Sequence, residues 1–149
     1  MTDPTMVADL TLDLPADTAD LVVLKPGTNT PTGWVITLAG PNHPKTLAYK
    51  ERKDREYLQK KARIEAAQVN GRKYKADEQS PEEAATGSIE WVVSRIVTWT
   101  PVKIEAKIFE FSDAAAIDLL RRPVMGSYLQ QIVDYLQAER AFMPSSATN

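Results

Sequence analysis

The sequence contains no cysteine and a single histidine, His43. The first absence excludes disulfides, thiolate metal sites and cysteine nucleophiles, and it suits a reducing, intracellular setting. The second leaves almost nothing for zinc coordination or a histidine-dependent triad. Glycine is sparse: six residues lie scattered, and neither G-x-x-x-x-G-K-[S/T] nor G-x-G-x-x-G occurs to cradle a phosphate. No apolar run approaches the roughly 18–20 residues that span a bilayer. The N-terminal stretch MTDPTMVADLTLDLPADTAD is acidic, with no basic start followed by an apolar segment, so no secretory signal is expected. These absences point away from an enzyme, and no catalytic, cofactor or metal-ligating residue is assigned.

What is present is an ordinary composition unevenly laid out. The chain has 149 residues, 43% hydrophobic and 26% charged, which fits one domain or one modest core with appendages. Its formal net charge is −2. Residues 1–44 carry five Asp and one Lys, a net −4. Residues 45–75 carry eleven Lys or Arg against four acids, a net +7, and residues 76–149 carry eleven acids against six bases, a net −5. An acidic head, a basic middle and an acidic tail are set to attract one another or partners of opposite sign.

Periodicity predicts a mixed α+β fold that is mostly helical. Residues 1–20 read as an acidic flexible arm. Over 21–44, Leu21-Val22-Val23-Leu24 and Trp34-Val35-Ile36-Thr37-Leu38-Ala39 flank a turn-rich Pro-Gly-Thr-Asn-Thr-Pro-Thr-Gly segment, the pattern of a β-hairpin. Residues 45–70 read as a long charged helix with Glu51–Arg55 and Glu56–Lys60 pairs at i,i+4, sparse apolar positions and a stop at Asn70-Gly71. A polar linker is expected over 71–80 and a helical body over 81–143, with residues 144–149 a frayed tail. Ser80-Pro81-Glu82-Glu83 opens a helix with a capping box. Ile89, Val92, Val93 and Ile96 give it an apolar face, Trp91 and Trp99 flank that face, and Pro101 stops the helix. Residues 102–111 alternate like a strand, although an extended loop fits as well. Ser112 and Asp113 cap a short helix ended by Pro123, and Gly126-Ser127 opens the last one, with Leu129, Ile132, Val133 and Leu136 on one face. Three apolar-faced helices would converge as a small C-terminal bundle, and the hairpin would either pack on it or stand apart.

Each feature that suggests chemistry has a plainer reading. His43 sits between Asn42 and Pro44 in a turn, where a loop histidine of no special role suffices. Glu82-Glu83 and Asp77-Glu78 resemble acid/base pairs, but acids gather at helix N-termini for dipole reasons. The bases between Lys45 and Lys75, interleaved with Tyr49, Tyr57 and Tyr74, suggest phosphate contacts, yet they mix with acids all round the helix. A solvated or partner-facing helix fits that layout better than a nucleic-acid reader.

Taken in order, several segments resemble the tail assembly chaperones of long-tailed, siphovirus-like bacteriophages. The segment Lys25 to Gly33 leading into Trp34-Val-Ile-Thr37 and Leu38-Ala-Gly-Pro41 is similar to the family's strand, "d-p-x-T-x-x-p-x-G" turn and second strand ending in "G-P". A charged helix follows, then an acidic helix start at Ser80–Glu83 and Ile96-Val-Thr-Trp99, which resembles an "A-x-x-v-x-x-W" segment. Phe111 to Leu120, through Gln131 to Arg140-Ala-Phe142, resembles the ending "f-s-x-e-n-a-x-x-l-l … Q-i … r-x-F". The likeness covers about residues 20–143. It departs at Trp99-Thr100-Pro101-Val102-Lys103, which lacks the glycine many relatives carry there.

The resemblance implies a non-enzymatic late protein of viral morphogenesis. Such a protein acts in the host cell cytoplasm, coats the tape measure protein, helps recruit major tail (tube) subunits and is absent from the mature virion. Some relatives also exist in a longer, frameshifted form. Self-association is a further possibility, whereas no membrane or nucleic-acid partner is implied. The candidate contact surface is Leu129, Ile132, Val133 and Leu136 with Trp99 and Phe142, the alternative being that these residues are simply core. The competing functions are a structural virion subunit of the tail or head–tail connector, and a small nucleic-acid-binding regulator.

Overall fold

The computed structural model describes residues 7–71, 80–138 and 142. Over these residues the fold is mixed α+β, with four α-helices and two small antiparallel sheets. Strand β1 (Thr18–Leu24) pairs antiparallel with β2 (Pro31–Ala39), and β2 pairs antiparallel with β3 (Ile96–Trp99). A second, two-stranded sheet joins β4 (Val102–Ile104) to β5 (Lys107–Phe109). The helices are α1 (Pro44–Val69), α2 (Pro81–Ser94), α3 (Asp113–Leu120) and α4 (Gly126–Gln137).

Local chemistry accounts for the helix starts. Ser80 Oγ accepts from Glu83 N at 3.1 Å, and Ser112 Oγ accepts from Ala115 N at 3.0 Å, each satisfying a donor that the first helical turn leaves unpaired. His43 does the same for α1: its Nδ1 accepts from Lys45 N at 3.1 Å, with Pro44 at the first helical position. The turn histidine is therefore a cap. In α1 the expected Glu51–Arg55 ion pair is present, but Glu56 turns back to Lys53 at 3.3 Å and Arg52 at 4.0 Å instead of forward to Lys60.

Three sequence expectations need correction. The apolar face begun at Ile89 does not continue as helix through Ile96 to Trp99: α2 stops at Ser94, and residues 96–99 form β3. The reason is long-range. Ile96, Val97 and Thr98 are β-branched and pleat readily, and β2 offers them a ladder at Ile36↔Trp99, Thr37↔Thr98 and Leu38↔Ile96. Second, the 81–143 body is accordingly not wholly helical, because it also contains β4 and β5. Third, the acidic arm is not loose over all of 1–20. Strand β1 already begins at Thr18, Ala16 N donates to Phe142 O at 2.6 Å, and Gly40 N donates to Asp17 O at 2.7 Å. The helices pack on the hairpin as well as on one another. Gln131 of α4 donates to Leu24 O at 2.8 Å and accepts from Leu24 N at 2.9 Å, so its side-chain amide copies a strand neighbour for β1. Tyr135 Oη donates to Asp20 O at 3.0 Å a turn later.

Sheet and helices thus share one core, in which Val23, Ile36, Leu38, Val92, Ile96, Leu119, Leu120 and Ile132 are fully buried. Burying a side chain of this class contributes about 1.5–3 kcal/mol. Most of residues 71–80 and all of 144–149 lie outside the described residues, so the linker and tail expectations concern segments beyond them.

Candidate functional site

The six residues put forward for partner contact belong to the core. Trp99 (5% exposed), Ile132 (0%), Leu136 (3%) and Phe142 (2%) are buried, and half-buried Leu129 and Val133 pack against the same cluster. The apolar face of α4 was legible in the sequence. β1 packs against it, and its residues join the core cluster.

Helix α1 stands apart from the core. None of its 26 residues is buried. At 1.5 Å per residue it is about 39 Å long, and it carries eight Lys or Arg against Glu51, Asp54, Glu56 and Glu65. Leu47, Tyr57, Leu58 and Val69 expose apolar area along it. Near its start, Arg52 and Lys53 lie over the Tyr49 ring at 5.1 and 5.6 Å, which places positive charge on a flat aromatic surface.

One residue ties this helix to the body. Lys45 Nζ donates to Ile96 O at 2.6 Å and to Asp113 Oδ1 at 2.5 Å, and lies 5.0 Å from the Phe111 ring centre. It joins α1, β3 and α3 at one point, where a charged donor serves an acceptor at the end of the sheet. Thr46 Oγ1 adds a bond to Gly40 O at 2.7 Å. Above the knot, α1, α2 and α3 enclose a hollow of about 380 Å³ with Arg52, Glu90 and Ile117 in its wall. Further along, Lys53 faces Glu82, Glu83 and Glu90 of α2 across a shallower hollow of about 340 Å³. The basic middle of the chain therefore meets the acidic body along the α1–α2 seam.

An aromatic chain runs from this knot to Tyr128. Phe111 meets Trp99 edge-on at 5.1 Å, Trp99 meets Trp34 at 5.3 Å, and Trp34 meets Tyr128 at 6.2 Å. Trp99 Nε1 donates to Phe109 O at 3.2 Å, whereas Trp34 Nε1 is buried without a hydrogen-bond partner among the described residues. No local sequence signal separates the two tryptophans.

Reactive chemistry is thinly represented. Among the described residues no group of three or more His, Cys, Asp or Glu side chains is placed to hold a metal ion, and no helix is long and apolar enough to cross a membrane. The Asp9 carboxyl is held below its ordinary range by the Thr11 hydroxyl and then by the Thr11 backbone N–H, an exposed local turn. The Tyr135 phenol is pushed up from its ordinary value by burial and secondarily by the Asp20 charge. Neither group sits in a cleft. Asp77-Glu78 and the basic residues 72–75 lie outside the described residues. Comparison with protein-family models, with curated proteins and with solved structures found no match to this chain.

Proposed function

We propose that the chain is a non-enzymatic assembly chaperone of bacteriophage tails, and that α1 is the element with which it holds its partner. The observation that carries this reading is a 26-residue helix with nothing buried, on a body whose other helices are spent on the core. A helix this polar draws little stability from its own apolar face. Its exposed Tyr57 and Leu58, set among bases, suit an amphipathic helix with acidic flanks laid alongside it. The resemblance over residues 20–143 supplies the partner class, the tape measure protein, whose long helical segments match such an arm in shape. Recruitment of tail tube subunits, action in the host cytoplasm and absence from the finished virion follow from the same reading.

The test is co-expression of the tape measure protein with this chain. Wild type is expected to keep it soluble and co-elute with it, and a Tyr57→Ser/Leu58→Ser variant, folded by circular dichroism, is expected to lose it. A tape measure protein equally soluble with and without the chain refutes the proposal. Mass spectrometry of purified particles tests the competing reading as a tail or connector subunit, because stoichiometric presence in virions is incompatible with a chaperone released before completion.

A further inference from the structure

A cleft beside Trp34, which shares no lining residue with the hollows along α1, differs in kind from them. It encloses about 360 Å³ and is lined by three consecutive residues of β2 (32–34), three consecutive residues of β4 (102–104), Met125 and Tyr128. Successive side chains of a strand point to opposite faces. Thr32 and Trp34 are two apart on β2, as are Val102 and Ile104 on β4, with Gly33 and Lys103 between them. Both edges are open here among the described residues: β4 pairs with β5 alone, and the ladder of β2 with β3 spans Ile36 to Leu38, extended to Val35 through Thr100. Unpaired strand edges facing a slot are the feature that extended peptides add to.

The lining also has a sign. Trp34 and Met125 give it a buried apolar floor. Lys103 is its one cation, no acid lines it, and Lys103 has no ion-pair partner among the described residues. The Trp34 indole N–H, in a residue 4% exposed, has no acceptor among the described residues. The cleft therefore presents a positive charge and apolar area together. The hollow between α1 and α2 instead sets three glutamates against one lysine.

We infer that this cleft takes an extended segment of a partner protein with alternating apolar and acidic residues, which adds as a strand between β2 and β4. Its apolar side chains cover Trp34 and Met125, and its carboxylates meet Lys103, which alternates in the same way with Val102 and Ile104. The site is separate from α1, so its failure leaves the tail-chaperone reading standing, and the reverse holds.

The test is a titration of the ¹⁵N-labelled full chain with the blocked hexapeptide TVEIET, observing the three tryptophan indole N–H resonances, with Trp34 assigned through Trp34→Phe. The Trp34 resonance is expected to move and saturate while that of Trp91 stays in place. Lys103→Glu, at an exposed position, and separately the uncharged peptide TVQIQT are each expected to weaken binding about ten-fold. Should Lys103→Glu not fold, the uncharged peptide alone decides. The inference is overturned by a Trp34 resonance that does not move, by equal binding of both peptides, or by a uniform drift of all three indoles. It is also overturned if the Trp34 shift depends on protein concentration without peptide, which would assign the cleft to a second copy of this chain.

Discussion

The contrast between α4 and α1 yields a paired prediction. Ile132→Ala removes three carbons from a side chain with no solvent exposure, between β1 and the helical core. At about 0.8 kcal/mol per buried carbon the transfer loss alone is about 2.4 kcal/mol. The cavity left behind adds to it, giving an expected cost of about 3–4 kcal/mol. That is a large share of the roughly 5–15 kcal/mol by which domains of this size are stable. Leu58→Ala removes as much hydrocarbon from α1, but Leu58 is 61% exposed, so its expected cost is within about 0.5 kcal/mol. Urea unfolding followed by far-UV circular dichroism measures both, with the slope held common. The partner assay should reverse the order: Leu58→Ala weakens partner retention, and Ile132→Ala affects it only through loss of folded protein. An Ile132→Ala cost under about 1 kcal/mol would show that α4 is not sealed by β1. A Leu58→Ala cost above about 1.5 kcal/mol would show that α1 is packed and not free.

Other perturbations probe single features. The β4–β5 turn places Glu105 at φ 49° and Ala106 at φ 67°, a conformation that two-residue hairpin turns normally give to Asn-Gly. Glu105→Asn/Ala106→Gly is therefore expected to raise the urea midpoint, by about 1–2 kcal/mol of stability; an unchanged or lower midpoint refutes that strain. A Cβ at Gly40 would meet the backbone carbonyl oxygen of Ala16 and that of Asp17. Backbone cannot rotate away, so Gly40→Ala should cost about 1–3 kcal/mol, and a neutral result in the same unfolding assay would refute the close approach. Lys45→Ala strips the donor from Ile96 O and Asp113. It should cost about 1–3 kcal/mol and speed amide exchange in the first turns of α1 above that in α2. The Tyr135 phenol is raised from its ordinary value of 10.0, so its neutral form is the one the fold prefers. That contribution is complete below pH 10 and fades as pH climbs past it towards the higher folded value. Tyr135→Phe should remove this part of the alkaline loss of stability, and identical pH profiles for the two proteins would contradict it.

Locally encoded features were readable because their causes lie within a few residues. Ser80 and Ser112 cap α2 and α3 through hydroxyls three positions from the amides they serve. The density of charge over 45–70 announced a solvated helix, and α1 spans Pro44–Val69 with no buried residue. The two runs around Pro26–Gly33 became β1 and β2. Even His43, read as a turn residue, stands next to the helix it caps.

Features that depend on distant partners were not readable in the same way. Ile96 lies seven residues after Ile89, so it satisfies helical spacing, yet it is equally a strand residue once Leu38 stands opposite. Leu129, Ile132, Val133 and Leu136 announced an apolar face without saying whether β1 or another molecule would cover it, and Gln131 bonding to Leu24, 107 residues away, decided it. The Trp34 cleft arises where two strand edges from opposite halves of the chain stop pairing. Hydrophobic pattern determines which side chains leave water, because transfer depends on the residue alone. Only long-range backbone pairing determines what they leave it against, because a ladder's hydrogen bonds are satisfied by whichever strand arrives.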